Sequence, residues 1–437
     1  MFVAYIDVTV VNVALPHLAA DLDSSTRATS WAITAYNVTF TALLVTAGRY
    51  ADAKGRRRIF VTGLAAFAVG SALCALAWDL PSLVAFRVVQ GIGAAVLVPV
   101  SLALLLPLWP QSRRGLAIGI WGTAGALGGA MGPPVGGILT ELSWRLIFVL
   151  NVPIALVVAI AAHRGLRETR ASTEARVDPP GVAILAIAIG ALALAVTEGP
   201  AWGWTSPAIV GLFATAALAV PILAGLERRR PEPALDLTLF RIRSFTVGTT
   251  ASIMFYFAFL GYSLLSVLFL QEAWGYSPAR AGLAYGVGVA VSAATNVTGG
   301  RLVDRYGSRR VASVGLFAFG VAVVGFVLFV APSEHPAYLT RYLPAGVLVG
   351  LALSLVFPAL TAVVTGGVPP SLLATGTGVL NTVRQIGGVL GIATVVAIVG
   401  DADPSRDAFV RAYTLIAVAL AIALVAVAGL RRHAPPG

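Results

Sequence analysis

The sequence predicts an all-α polytopic membrane protein, and three observations support this fold class. First, 58% of the 437 residues are hydrophobic, 11% are charged and the mean hydropathy is +0.88, a composition that excludes a water-soluble fold. Second, the apolar residues form runs close to the ~20 that a helix needs to cross a bilayer. Third, the cationic residues lie almost entirely between those runs. Helices are expected because each one satisfies its own backbone hydrogen bonds in lipid.

The apolar stretches predict fourteen transmembrane helices. The first stretch is shorter than the ~20 residues of a full span, so we expect the chain to begin inside a longer first span. The stretches lie near residues 2–18, 30–48, 59–78, 81–106, 115–140, 146–162, 181–198, 207–226, 245–270, 279–300, 311–331, 340–364, 373–399 and 408–430.

Arginine and lysine predict the orientation of these helices, because loops on the cytoplasmic side carry the excess of positive charge. With fourteen spans, most of the 30 cationic residues fall in loops on one side, and we assign that side and both termini to the cytoplasm. A net charge of +11 then orients the chain in the cell membrane, and it gives little reason to expect nucleic-acid binding. Only Arg87 and Arg384 fall deep inside predicted spans, because Arg280, Arg341 and Arg411 lie at the ends of spans and are counted with the loops.

An internal repeat predicts two homologous halves. Residues 48–58 read GRYADAKGRRR and residues 300–310 read GRLVDRYGSRR, with Gly, Arg, Asp, Gly and the last two arginines in register. We therefore expect two six-helix bundles, at 1–162 and 244–437, with an inserted two-helix hairpin (181–226) and its flanking cytoplasmic loops at 163–243. Parallel halves around a central site are typical of secondary transporters.

Several motifs resemble a known family. GRYADAKGRRR resembles the loop signature Gly-x-Leu-x-Asp-x-x-Gly-Arg-x-x of the major facilitator superfamily, although position 50 is Tyr and the segment 366–373 lacks an expected arginine. The resemblance implies the major facilitator fold, and the motifs below are similar to those of its fourteen-span drug:proton antiporters. They are IDVTVVNVALP at 6–16, FRVVQGIGAAVLVP at 86–99, GALGGAMGPPVGG at 125–137, WRLIFVLNVPIAL at 144–156 and NTVRQIGGVLGIA at 381–393.

Asp7 and Arg87 are the candidate proton-coupling residues. Asp7 is a carboxylate deep within a span, where the ionised form costs about 2.5–3.5 kcal/mol, so either a proton-carrying role or a helix-packing hydrogen bond must explain it. At ~1.5 Å rise per residue, Asp7 lies about 16 Å and Arg87 about 10 Å below the outer surface, which makes them possible partners. The resemblance implies proton transfer at both positions, and the alternative for Arg87 is a purely structural ion pair.

Further polar and aromatic residues are expected to line a substrate cavity. Gln90 shares a helical face with Arg87. Arg384 is expected near the midplane, where it could contact substrate, contact Asp7 or donate to helix carbonyls. An aromatic group in the ninth span could line a drug pocket or face lipid. The predicted cavity residues are Asp7, Asn12, Arg87, Gln90, Tyr256, Arg384 and Gln385.

The fifth span carries a glycine stripe that could admit another helix. Glycines three or four residues apart allow backbone-to-backbone contact, and the prolines at 133 and 134 are expected to kink the helix. The GPPVGG segment resembles a motif of exporters, so we expect an interface between the halves on which rocking could pivot. The predicted interface residues are Gly125, Gly129, Gly132, Pro133 and Gly136.

The repeated loops are expected to form a cytoplasmic gate in addition to orienting the chain. A carboxylate at the end of a span can pair with loop arginines or cap the N-terminus of a neighbouring helix. Either contact would hold the cytoplasmic helix ends together. The predicted gate residues are Asp52, Arg56, Arg57, Asp304 and Arg309.

These features predict a proton-coupled antiporter that exports hydrophobic or amphipathic small molecules such as drugs and antibiotics by alternating access. The alternative is a proton-coupled importer or symporter of a metabolite on the same fold. An enzyme is not expected, because the four histidines are scattered and the single cysteine lies in an apolar run. We expect no cofactor and no metal, with the proton gradient as the energy source, and a monomer whose partners are substrate, protons and lipid.

Overall fold

A computed structural model describes residues 1–24, 26–29, 31–169, 179–227, 237–276, 278–331, 335–399 and 406–430. All regular secondary structure in these ranges is helical. Parts of the predicted segment 163–243 and of the C-terminal tail lie outside the described residues.

The longer helices are labelled α1–α14 here, and a one-turn helix at Arg145–Val149 leads into α6. Each predicted apolar stretch overlaps one of them. They are α1 (Phe2–Asp21), α2 (Trp31–Lys54), α3 (Arg56–Ala75), α4 (Leu80–Leu105), α5 (Arg114–Leu142), α6 (Asn151–Gly165), α7 (Pro179–Trp202), α8 (Pro207–Glu227), α9 (Arg243–Leu268), α10 (Pro278–Tyr306), α11 (Ser308–Gly325), α12 (Leu343–Thr365), α13 (Leu373–Val399) and α14 (Arg406–Ala428).

Length and composition identify membrane-crossing helices among these. Within the described ranges, 8 helical segments are long and apolar enough to cross a bilayer, namely α2, α3, α4, α6, α9, α11, α12 and α14, some of them with adjoining helical turns. Large apolar side chains remain on their outer surfaces, such as Phe317 at 62% exposed and Val425 at 71%. Lipid is the environment that such surfaces suit.

Local sequence sets where several helices begin. At α4, Asp79 Oδ1 accepts from the Ser82 backbone nitrogen at 2.8 Å, and Ser82 Oγ accepts from the Asp79 nitrogen at 3.2 Å, which forms a capping box. In the two loop copies, Gly55 (φ 107°) and Gly307 (φ 85°) occupy equivalent positions immediately before α3 and α11. This left-handed conformation favours glycine and allows a tight turn between consecutive helices.

The chain forms two compact units. Unit 1 comprises Met1–Leu108, Ala124–Asp236 and Pro369–Thr382, and unit 2 comprises Trp109–Thr123, Leu237–Val368 and Val383–Gly437. Each unit therefore includes a short segment from the opposite half of the sequence: the start of α13 in unit 1 and the start of α5 in unit 2. The division into bundles at 1–162 and 244–437 stays a sequence-based prediction.

In unit 1, α4 packs against α2 and α3, and α3 also packs against α6. α7 and α8 pack on each other, and α7 packs on α2. Glu198 of α7 accepts from Thr34 Oγ1 of α2 at 3.1 Å, and the Trp31 and Trp202 ring centroids are 5.9 Å apart. α7 thus contacts the first-half helices through α2, and the inserted two-helix hairpin stays a prediction.

In unit 2, α12 packs against α10 and α11, and α14 packs against α9 and α11. Its core is rich in aromatic side chains. Phe255, Phe319 and Phe326 are completely buried, and Tyr262 packs edge-on against Phe319 with centroids 5.5 Å apart. Edge-to-face contacts of this kind stabilise aromatic cores beyond their burial.

Candidate functional site

A buried ion pair lies at the centre of unit 1. Asp7 on α1 accepts a hydrogen bond from Arg87 on α4, with 2.6 Å between Oδ2 and Nη1. Both side chains are 0% exposed. The structure therefore brings together the two residues that the sequence paired by depth, and it does so without contact to solvent. The pair is neutral as a whole, which limits the cost of burying each charge.

Two amide side chains hold the second oxygen of the Asp7 carboxylate. Gln90 Nε2 donates to Asp7 Oδ1 at 2.8 Å, and Asn151 Nδ2 donates to the same oxygen at 2.7 Å. Asn151 begins α6 and is 1% exposed. It was not among the predicted site residues, and the available signal was an amide side chain inside an otherwise apolar stretch. The carboxylate thus joins α1, α4 and α6.

Gln90 continues the network toward α3. Its Nε2 also donates to Ser71 Oγ at 2.7 Å, and its Oε1 accepts from Arg87 Nη1 at 2.6 Å and from Cys74 Sγ at 3.8 Å. Ser71 and Cys74 are both 0% exposed. One glutamine therefore connects the ion pair to two buried side chains of the neighbouring helix.

The Arg87 guanidinium also contacts a backbone carbonyl and an aromatic ring of α2. Its Nε donates to the Ala32 carbonyl oxygen at 3.0 Å, and its Cζ lies 4.1 Å from the centroid of the buried Tyr36 ring. Arg87 Nη2 is buried and has no hydrogen-bond partner among the described residues. A cation over an aromatic face is stabilised further when water is excluded. The guanidinium keeps its proton and acts on Asp7 through its charge.

Glycines allow the close helix contacts that position this network. A Cβ at Gly70 would lie 2.6 Å from the Gln90 backbone nitrogen, and one at Gly93 would lie 2.4 Å from the Phe67 nitrogen. Both distances are shorter than real Cβ contacts. Because α3 and α4 touch backbone to backbone at these points, Gln90 can reach Asp7 and Ser71 together.

This arrangement can exchange a proton for an ion pair. While Asp7 is ionised, the carboxylate is the acceptor for Arg87, Gln90 and Asn151. Protonation would remove the negative charge and leave Arg87 as a buried cation, which is costly unless the helices rearrange or water enters. The chemistry of the cluster is therefore suited to coupling a protonation step to helix packing.

Arg384 lies in unit 2, where its surroundings differ. It is 5% exposed, its Nη2 donates to Thr361 Oγ1 on α12 at 2.5 Å, and its Cζ lies 5.3 Å from the Tyr256 ring centroid. Among the described residues its hydrogen-bond acceptor is this hydroxyl, in the place of the helix carbonyl that was one of the predicted alternatives. The predicted contact with substrate stays a prediction. Gln385 follows it on α13 and is half-buried. The side chain of Asn12 lies outside the described part of the chain.

The glycine stripe of α5 contacts α1. A Cβ would lie 2.4 Å from Met1 Cε at Gly125, 1.8 Å from Thr9 Oγ1 at Gly132 and 2.9 Å from Val10 Cγ2 at Gly136. α1 therefore occupies the space that the missing side chains of these three glycines leave. An interface between the halves on α5 stays a prediction.

Gly129 does not belong to this contact. A Cβ there would meet no atom within 4 Å, whereas one at Gly128 would lie 2.5 Å from the Phe2 carbonyl oxygen. α1 crosses the stripe on the side of Gly128, and sequence spacing alone does not fix this crossing direction. The place of Gly129 at an interface between the halves stays a prediction. The backbone of α5 is helical through Pro133, whose side chain lies outside the description.

The first loop copy (48–58) caps the start of α13. Asp52 Oδ2 accepts from the Thr375 backbone nitrogen at 2.8 Å and from Thr375 Oγ1 at 2.9 Å, while Asp52 Oδ1 accepts from Arg56 Nη2 at 2.7 Å. Arg56 also donates to the Pro370 carbonyl oxygen. Both predicted types of contact, arginine pairing and helix capping, therefore occur at Asp52. A carboxylate at a helix N-terminus is favoured by the helix dipole.

A further carboxylate supports this loop. Glu168, just beyond α6, accepts from the backbone nitrogens of Arg57 and Arg58, each at 3.0 Å, and so caps α3. Arg57 Nη1 in turn donates to the Leu166 carbonyl oxygen at 3.2 Å. Glu168 was not predicted, because it is more than a hundred residues from the loop and nothing local marks the contact.

The second loop copy (300–310) caps the start of α5. Asp304 Oδ1 and Oδ2 accept from the backbone nitrogens of Gly115 and Leu116 at 2.6 and 2.8 Å. No arginine ion pair to Asp304 is found among the described residues. Arg309 donates to the Ala428 carbonyl oxygen at the end of α14. The two aspartates therefore perform the same capping, with an arginine partner only in the first copy.

An exposed ion pair joins the C-terminal end of α1 to the one-turn helix that precedes α6. Arg145 Nη1 and Trp144 Nε1 each donate to Asp21 Oδ2 at 2.7 Å. These hydrogen bonds, from Trp144 first and then Arg145, lower the pKa of Asp21 below its usual value. The two charged side chains are 49% and 41% exposed.

Two surface cavities are lined by described residues of unit 2, and no predicted cavity residue lines either of them. One, of about 600 Å³, lies between Tyr276 and Thr340, and the other, of about 540 Å³, lies beside Arg341. The predicted substrate cavity stays a prediction. No group of His, Cys, Asp or Glu side chains in the described ranges has the arrangement of a metal site.

An all-helical fold with a repeated, capped loop and a buried ion pair is compatible with a secondary transporter of the membrane. The family model of the Major Facilitator Superfamily matches residues 1–392, and the chain belongs to this family. It is a transporter and not an enzyme, as the sequence predicted.

Curated relatives agree with this assignment. The multidrug resistance protein Stp of Mycobacterium tuberculosis is 33% identical over 402 residues, which cover 90% of this chain and 73% of that protein. A methylenomycin A resistance protein of Streptomyces coelicolor is 32% identical over 439 residues, covering 99% and 90%. The predicted resemblance to multidrug and antibiotic resistance transporters is thus confirmed.

Solved structures share the fold. The human organic anion transporter MFSD10 (TETRAN) superposes with a TM-score of 0.68 at 19% identity, covering 97% of each chain. At this identity the likeness establishes the fold alone.

Proposed function

We propose that this protein is a proton-coupled antiporter that exports hydrophobic or amphipathic small molecules, including drugs or antibiotics, by alternating access. The observation that supports it most is the buried network in which Asp7 accepts from Arg87, Gln90 and Asn151. The resistance proteins named above provide the support for export.

In this mechanism Asp7 exchanges a proton for its ion pair with Arg87. Proton binding releases Arg87, Gln90 and Asn151 from the carboxylate, so the contacts that join α1, α4 and α6 weaken together. Loss of the proton restores them. A proton moving through 100 mV supplies about 2.3 kcal/mol, which sustains roughly a fifty-fold substrate gradient.

The Asp52 and Asp304 caps would act as the gate. Each ties a helix end from one half of the sequence to a loop of the other half. We propose that both caps are closed at the cytoplasmic side in one access state and open in the other. The proposal includes fourteen membrane crossings in the cell membrane, both termini in the cytoplasm, a monomer and no cofactor.

Substrate-driven proton movement tests the function. Inverted membrane vesicles are acidified inside by respiration, and a pH-sensitive dye reports their lumen while members of a drug panel, including methylenomycin A, are added. An antiporter raises the lumenal pH on adding its substrate, and Asp7→Asn abolishes that response. Asp79→Asn, at an exposed helix cap, is the matched control and retains it. A wild-type response of opposite sign would identify a symporter and contradict the proposal.

A drug-susceptibility panel in a pump-deficient host selects the compounds for this experiment. Expression of the wild type should raise resistance to the exported compounds, and Asp7→Asn should not. Equal resistance with both proteins at equal membrane abundance would contradict a role for Asp7.

A further inference from the structure

Arg384 carries a buried positive charge that no described carboxylate balances. It is 5% exposed, and no Asp or Glu in the described ranges forms an ion pair with it. Its one described hydrogen bond goes to Thr361 Oγ1, whose own hydroxyl donates to the Phe357 carbonyl oxygen at 2.7 Å. A neutral hydroxyl does not compensate a buried guanidinium, which is costly without an anion.

The Arg384 guanidinium also has an N–H donor without an acceptor among the described residues. Arg384 Nε is buried and has no hydrogen-bond partner among the described residues. Arginine presents five N–H donors in a planar fork, and this fork matches the two oxygens of a carboxylate. A buried, unpartnered donor on an uncompensated cation is the feature that an acidic group would satisfy.

An aromatic surface lies beside the cation. The Tyr256 ring is 5.3 Å from Arg384 Cζ and packs edge-on against Phe357 and Phe259, with centroids 5.8 and 6.1 Å away. These three rings are half-buried, so part of each remains open to contact. Their faces suit an apolar or aromatic body.

We propose that Arg384 is a substrate-binding residue that pairs with the acidic group of an amphipathic organic anion, whose apolar body lies against Tyr256 and its neighbouring rings. This inference rests on the proposed export function and names the class of substrate. The carboxylate, sulfonate or similar group supplies the negative charge and the hydrogen-bond acceptor that no described residue provides at this position.

Binding to the resting protein tests the inference. The probes are 2-naphthoate and 2-naphthamide, which share one body and differ in charge, and affinities are measured by calorimetry on the full-length protein in detergent. The wild type should bind the acid roughly tenfold or more tightly than the amide. In Arg384→Gln this preference should disappear, while amide affinity stays within about twofold. Arg341→Gln, at an exposed cation of unit 2, is the matched control and should keep the preference.

A second variant, Arg384→Lys, keeps the inference testable if Arg384→Gln does not fold. Arg384→Lys keeps the charge and loses the planar fork, so it should retain only part of the preference. Wild-type affinities that do not distinguish acid from amide, or a full preference in Arg384→Gln or Arg384→Lys, would overturn the inference. Because binding is read without a proton gradient, failure of proton coupling leaves this result intact. Likewise, an exporter that prefers the amide would contradict only the substrate class.

Discussion

The two buried arginines that lie inside predicted spans, Arg87 and Arg384, differ in how their charge is balanced. Arg87 has Asp7 at 2.6 Å, an amide and a carbonyl as acceptors, and an aromatic ring at 4.1 Å. Arg384 has one hydroxyl acceptor and a ring at 5.3 Å. The first cation is matched by the protein itself, and the second is not. Residues with the same sequence signal, a cation inside a predicted span, thus have different surroundings, and we propose separate roles for them, proton coupling for Arg87 and substrate recognition for Arg384.

The largest expected effect is on protein stability, when each of the two arginines is replaced in turn. Arg87→Gln leaves Asp7 as an unpaired buried carboxylate and should destabilise the protein by about 3–5 kcal/mol. Arg384→Gln removes an uncompensated cation, so its unfolding temperature in detergent should stay near or above that of the wild type. The double variant Asp7→Asn/Arg87→Gln should recover most of the loss. Equal destabilisation by the two single variants would contradict the difference in charge balance.

Replacing Asn151 tests how much the amide groups around the ion pair contribute to protein stability. Asn151→Leu keeps a similar volume but removes one of the two amide donors to Asp7 Oδ1, so we expect a loss of about 1–3 kcal/mol. Asn381→Leu is the control, since the Asn381 amide donates only to a carbonyl of its own helix. Denaturation of both variants in detergent measures the difference. Indistinguishable stabilities would mean that Asn151 does not hold the carboxylate.

The two loop copies also differ in charge pairing, because the cap at Asp52 has an arginine partner and the cap at Asp304 has none among the described residues. Asp52→Asn removes a charge that pairs with Arg56 and caps α13, whereas Asp304→Asn removes only a helix cap worth about 1 kcal/mol. We therefore expect cytoplasmic accessibility to increase more in Asp52→Asn.

Cysteine labelling measures that accessibility. In a Cys74→Ala background, the reporters are Thr377→Cys and Ala117→Cys, at buried positions just after the two caps. An impermeant maleimide is added to inverted vesicles. Faster labelling at position 117 in Asp304→Asn than at position 377 in Asp52→Asn would reverse the expected order.

The smallest effect on stability is expected for the exposed pair between Asp21 and Arg145, which serves as a reference for the buried pair. Because hydrogen bonds from Trp144 and Arg145 lower the pKa of Asp21, its contribution to stability is present above the unfolded-state pKa and is lost as pH falls through the lower folded-state pKa. Solvent screening limits it to less than about 1 kcal/mol. The unfolding temperatures of the wild type and Asp21→Asn should differ slightly near neutral pH and converge in acid. A difference that grows in acid would contradict this sign.

Much of the fold follows from the sequence, because hydrophobic runs of membrane length and loop arginines determine where helices lie. The pairing of Asp7 with Arg87 could also be predicted, since both depths follow from the helical rise. Asn151 could not, because its contact depends on how α6 is rotated against α1. Nor could the contact of Gly128 in place of Gly129, which differs by one position and depends on the crossing direction of α1. Glu168 is a long-range contact with no local signal.

Proton release on substrate binding tests the central claim most directly. Detergent-solubilised protein in weakly buffered solution, near the pH at which the substrate-free site is protonated, is mixed with an identified substrate, and a pH indicator records the protons set free. If Asp7 carries the coupled proton, the wild type should release protons in proportion to the bound substrate, and Asp7→Asn should bind substrate without releasing any. Undiminished release from Asp7→Asn would contradict the account, because the proton would then come from another group.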